Sequence, residues 1–169
     1  MSEGRRLPWI AAALFCERVL EEKDDVLTIV RVIHKATVAA MDREGRLKPI
    51  SEEKGFPIPL TAFIAFRASG EPTGPHSLRL VAHSPSGKTH DAGSYPDAIR
   101  FVADDQAFNL VVNMGVTARE AGLYWFDVLL DEELVTRIPL QIQFAQSPTT
   151  SRNPEDRSQN QAAKGSSPS

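Results

Sequence analysis

The chain has 169 residues, the size of one ordinary domain plus whatever does not fold. With 41% hydrophobic and 24% charged residues it belongs with globular proteins, away from fully disordered or membrane classes. Its 19 Lys and Arg against 22 Asp and Glu give a net charge of −3, so no basic excess exists to hold phosphate backbones, and no nucleic-acid partner is expected.

At the N-terminus, Arg5 and Arg6 precede the apolar run Trp9 to Cys16, the outline of a short signal peptide. The run is cut off by Glu17 and Arg18, far short of the roughly 18 to 20 residues that span a bilayer. Bulky Leu14 and Phe15 also precede Cys16 where a lipoprotein site would have small residues. The segment therefore reads as a first buried strand, with no membrane association. The lone Cys16 cannot form an internal disulfide, which points to a cytoplasmic protein.

Strand follows strand from there. Trp9 to Leu20 and Val26 to Val38 flank the charged break Glu21 to Asp25 and predict a hairpin. Residues 41–57, charged and punctuated by Gly45, Pro49, Gly55 and Pro57, read as one long loop. Leu60 to Arg67 and His76 to His83 alternate, and Pro85-Ser86-Gly87-Lys88 is turn chemistry. Two short strands are read at Lys88 to Ala92 and Ala98 to Ala103. Phe108 to Thr117 follows, then a last hairpin of Leu123 to Leu130 and Leu134 to Phe144 across Asp131-Glu132-Glu133. These eight or nine strands without a helical period predict an all-β fold, an antiparallel β-sandwich over residues 1–146.

Residues 147–169 contain six Ser and three Pro but no Val, Ile, Leu, Met or aromatic residue. Such a segment has nothing to bury against its ordering entropy and reads as a disordered polar tail. It carries a net charge of +1, which leaves −4 on the remainder.

A half-exposed strand alternates, whereas one covered on both faces is apolar throughout. In the last strand Leu134, Ile138, Leu140, Ile142 and Phe144 form one face and Arg137, Gln141 and Gln143 a wet one. Pro139, lacking an amide donor, favours an edge or bulge there. In the strand before it, Tyr124, Phe126, Val128 and Leu130 make one face while Leu123, Trp125 and Leu129 populate the other. Loop 41–57 or the N-terminal strand could cover that second face; so could a protein partner or a second copy of the chain.

The run Glu120-Ala121-Gly122-Leu123-Tyr124 resembles the tyrosine corner of immunoglobulin-like domains, in which the phenol bonds back to upstream backbone. The resemblance gives Gly122 and Tyr124 a structural role and makes the sandwich immunoglobulin-like. Phe126 stands where antibody domains have a cysteine, so the disulfide-bonded class is excluded.

Motifs for chemistry are weak. Ser86-Gly87-Lys88-Thr89 ends like a phosphate-binding loop, but the required earlier glycine is Ala82 and strands flank the turn. His76 and His83, seven apart, point to opposite faces of one strand, and the histidines read as surface polar residues. Only His83 with His90 and Asp91 could meet across the 85–88 turn, a weak candidate metal or ligand site. Ser94 lacks the second glycine of a nucleophile elbow, and Cys16 reads as a buried small hydrophobe. The acidic pairs Asp24-Asp25, Asp104-Asp105 and Glu132-Glu133 lack a calcium-ligand series. No cofactor is expected.

The phrases Ala11 to Glu17, Val26 to Val32, Phe108 to Asn113 and Gly122 to Glu133, with a Pro-containing last strand, resemble a family of small bacterial cytosolic proteins of unknown function. The resemblance spans residues 9–144, treats loop 41–57 and the tail as additions, and implies no activity, cofactor or catalytic residue. The expectation is thus a non-enzymatic β-sandwich that serves as an interaction or accessory module. The alternative is a small ligand- or metal-binding protein, or a hydrolase, with a loop site near His83, His90 and Asp91.

Overall fold

The computed structural model describes residues 8–50, 53–68, 74–101 and 106–145. The segment 147–169, read from sequence as a tail, lies outside them, as does the pair Asp104-Asp105. Eleven strands occur among the described residues: β1 (Trp9–Glu21), β2 (Leu27–Ile33), β3 (Lys35–Val38), β4 (Ala40–Met41), β5 (Leu47–Lys48), β6 (Phe56–Ala68), β7 (His76–His83), β8 (Thr89–Ile99), β9 (Gln106–Ala118), β10 (Gly122–Leu130) and β11 (Glu133–Phe144). Nine of them build two sheets, ordered β2-β1-β6-β9 and β3-β11-β10-β7-β8, and β4 with β5 forms a small separate ribbon. The fold is all-β.

The two sheets share one core. β6 contributes Leu60, Ala62, Ile64 and Phe66; β9 contributes Val112, Met114 and Val116. Against them lie Leu78, Leu80 and Ala82 of β7, Phe126, Val128 and Leu130 of β10, and Ile138, Leu140 and Ile142 of β11. These are the period-two positions of each strand, so pleating alone turns them to one side. Phe15 of β1 meets Phe126 of β10 edge to face, ring centroids 4.8 Å apart, joining the sheets at the centre. Such a pair contributes about 0.5–1.5 kcal/mol beyond its buried area.

Several sequence readings need correction. The run Val26 to Val38 is not one strand: it breaks at His34, and β3 leaves the first hairpin to pair in parallel with β11 in the other sheet. The five-stranded sheet is therefore mixed rather than wholly antiparallel. Gln141 N–H donates to the His34 carbonyl at 2.9 Å, which anchors the crossing. The stretch 41–57 is not one loop, since it holds the β4–β5 ribbon and the first residues of β6. The ribbon's turn is tied by Asp42 Oδ1, which accepts from the amides of Glu44 and Arg46. The short strand read at 88–92 and the first residues of the one read at 98–103 fall in one strand, β8, kinked by two register shifts against β7; residues 102 and 103 lie outside the described residues.

Leu134 is half exposed instead of inward. The β10–β11 register slips between Val128 and Leu129, so Val135 takes the place against the core. One extra residue in one strand reverses the facing of everything beyond it. Pro139 sits opposite Trp125 in the β10 ladder, beyond the last β3 pair at Gln141, where a missing amide donor costs no strand pairing.

Candidate functional site

β10 is an interior strand of the five-stranded sheet, and its alternation sorts its side chains completely. Tyr124, Phe126, Val128 and Leu130 are buried inward, while Leu123, Trp125, Asp127 and Leu129 face outward. The ladder sets His83 of β7 and Pro139 of β11 on either side of Trp125, and Val81 and Arg137 on either side of Asp127. Asp127 bridges the three strands: its Oδ2 lies 2.9 Å from His83 Nε2, and its Oδ1 accepts from Arg137 Nε at 2.8 Å. Leu123 and Trp125 each keep 41% of their surface exposed, whereas Leu129 is partly buried. Two exposed apolar side chains thus stand beside a fixed polar bridge on the outer face of the sheet.

The three residues named as a weak metal or ligand candidate do not converge. His83 faces outward to Asp127. Asp91 lies opposite Val81 and meets Arg79 Nε at 3.4 Å, while its Oδ1 accepts from the Gly93 amide. His90 lies opposite Ala82, an inward-facing residue, and so projects to the other side of the sheet from His83. Among the described residues no group of three or more His, Cys, Asp or Glu is placed to hold a metal ion. His76 departs from the surface role read for the histidines. It is fully buried, its Nδ1 2.8 Å from Asp131 Oδ2, and Asp131 also accepts from the Ser77 amide.

His90 instead lines a notch of about 210 Å³ between the edge strands β8 and β9, with Gly115, Thr117, Arg119 and Tyr124. An adjoining hollow of about 180 Å³ adds Ser84, Ser86, Lys88 and Glu120. Both are smaller than the roughly 300 Å³ at which pockets for drug-sized ligands begin. At the floor, Tyr124 Oη donates to the Glu120 carbonyl at 3.0 Å, and burial raises its phenol above the ordinary value. Glu120 Oε1 accepts from the Ser86 hydroxyl at 2.6 Å and from its amide at 3.2 Å. The Ser86 and Ser84 hydroxyls hold that carboxyl below its usual range. Gly122, at φ 142°, lies against Pro85 so closely that a Cβ would meet its Cγ at 2.6 Å. The turn after β7 and the turn before β10 are thereby clamped together.

The sequence reading passed over Arg119, Thr117 and the Asp127 bridge. Asp127 carried a signal, because it is the one charged residue inside an otherwise apolar strand. Arg119 and Thr117 carried none, since only the approach of β8 to β9 brings them beside His90.

Residues 51–143 match DUF6941, a family of unknown function. The match begins after the first hairpin and includes the end of the 41–57 stretch. No curated protein matches the chain. Among solved structures, the chain is similar to the Pseudomonas fluorescens alkylpurine DNA glycosylase AlkC bound to DNA containing an abasic site analog. The identity is 9% and the TM-score 0.33, over 50% of this chain and 25% of that one. The chain thus spans about a quarter of that protein's length. No helix among the described residues is long and apolar enough to cross a membrane.

Proposed function

The chain belongs to DUF6941, a family of unknown function, and we propose that it is a non-enzymatic interaction module built on an immunoglobulin-like β-sandwich. Its docking face is the outer surface of the five-stranded sheet around Leu123, Trp125 and Leu129, and its occupant is a protein partner. The observation that carries this reading is the exposure of Trp125 on an interior strand, flanked by His83 and Pro139. A rigid aromatic with a charged rim is the usual make-up of an interface hot spot. The bridge of Asp127 to His83 and Arg137 gives that rim fixed donors and acceptors. Tyr124 and Gly122 serve as a corner that fixes the start of β10 and hence the direction of Trp125. The lone buried Cys16 fits a reducing compartment such as the cytoplasm.

The test is capture from native lysate followed by titration of the purified partner. Trp125→Glu should weaken affinity by at least about tenfold while leaving the melting temperature close to wild type. Unchanged affinity would overturn the reading.

A second reading places a small anion in the notch, because Lys88 and Arg119 gather there beside His90. Thermal shift against phosphate and simple carboxylates tests it. Stabilisation that is lost in Arg119→Gln supports it, and a flat response across the panel removes it.

A further inference from the structure

A sheet edge presents unpaired N–H and C=O groups that can template another strand, and stable proteins usually blunt it with charge, proline, bulges or shortness. The two sheets have four edges, and three are blunted. β3 is four residues long. β8 carries two register shifts, Pro96 and a positive φ of 52° at Asp97. β2 carries Arg31, at φ 50°, where its ladder with β1 skips a pair.

The fourth edge, β9, has none of these devices. Its 13 residues contain no charge and no proline, and it pairs with β6 at every position without a shift. Among the described residues, no backbone hydrogen bond outside the β6 ladder involves it. The apolar row Leu14–Phe63–Val111 on the outer face runs to this edge, where Val111 is 42% exposed.

We propose that β9 pairs antiparallel with β9 of a second copy, with the two-fold axis at Val111. The sequence Asn109-Leu110-Val111-Val112-Asn113 has the same polar and apolar order in both directions, so a two-fold pairing sets polar opposite polar and apolar opposite apolar. In this register Val111 faces its own copy and Asn109 faces Asn113 of the second copy. Asn113 Oδ1 already accepts from Thr61 Oγ1 at 3.0 Å and Asn109 Oδ1 from Arg67 Nη1 at 3.3 Å. Each oxygen keeps a second lone pair and each amide NH₂ is without a partner among the described residues, so facing amides can bond reciprocally. No charge meets its own copy within the strand, and the two four-stranded sheets become one continuous sheet of eight strands.

Sedimentation velocity of the full chain over a concentration series tests this. Wild type should pass from monomer to dimer. Val111→Lys, which sets two ammonium groups opposite each other, should raise the dimer dissociation constant at least about tenfold, while Val111→Thr keeps the dimer. Circular dichroism checks that both variants fold. Register is read by oxidation: Val111→Cys should cross-link two copies and Asn109→Cys should not, with wild type as the control for Cys16. A wild-type monomer at every concentration, a dimer indifferent to Val111→Lys, or the opposite cross-linking pattern would each overturn the proposal. Trp125→Glu should leave the dimer intact, which separates this edge from the docking face on the other sheet.

Discussion

The outer faces of the two sheets start from similar sequence and end differently. β1 and β6 are apolar on both sides, as β10 is. On the four-stranded sheet the second-face residues Cys16, Phe63 and Ala65 form a compact buried cluster with Leu14, Leu27 and Ile29 around them. There Cys16 is 1% exposed and Phe63 6%, and burial raises the Cys16 thiol above its ordinary value. On the five-stranded sheet the second-face residues Leu123 and Trp125 stay open. The difference lies in the neighbours: small and apolar residues surround Phe63, whereas His83, Asp127 and Arg137 surround Trp125 and hold one another in place of covering it. An apolar second face therefore reports burial only when the adjacent strands are apolar in the same rows.

The largest expected effect lies in the core that both faces share. Phe126→Ala, which removes the ring packed on Phe15, should cost about 3–5 kcal/mol by denaturant titration. Phe63→Ala comes next, at about 2–4 kcal/mol, if its cluster is a second core. A loss under about 1 kcal/mol would make that face as superficial as the other. Trp125→Ser should change stability by less than about 1 kcal/mol, and a larger loss would show that the ring is structural. The smallest effect is pH dependent. Because Glu120 has a lowered native value, its stabilisation is present above the unfolded value of about 4.3 and is lost as pH falls through the native one. The gap between wild type and Glu120→Gln should therefore narrow in acid, and a gap that stays constant through the whole acid limb would contradict the hydrogen bonds to Ser86.

Much of the strand order was legible, since alternation in residues 60–67, 76–83, 108–117 and 123–130 coincides with β6, β7, β9 and β10. Breaks within apolar runs were not. Val26 to Val38 is rich in β-branched residues on both sides of His34, and nothing local says that His34 marks a change of sheet, because the parallel partner lies in β11. The bulge at Val135 was equally hidden, as Leu134 and Val135 are both apolar and either could face inward. For the candidate site, period two places Leu123 and Trp125 opposite Tyr124, but their exposure depends on His83 and Arg137 from other strands. The spread of His83, His90 and Asp91 follows from pleating, which turns neighbours along β8 to opposite faces.

The parallel ladder between β3 and β11 also orders events in time. Lys35 pairs with Gln141, roughly a hundred residues further along, and this contact cannot form until the last strand has been made. Fold completion therefore waits on the C-terminal hairpin, and the first hairpin passes through synthesis with one of its two sheet attachments unmade. A chain truncated before Gln141 should leave β3 unpaired, exposed to proteases and chaperones, however well the strands between have assembled.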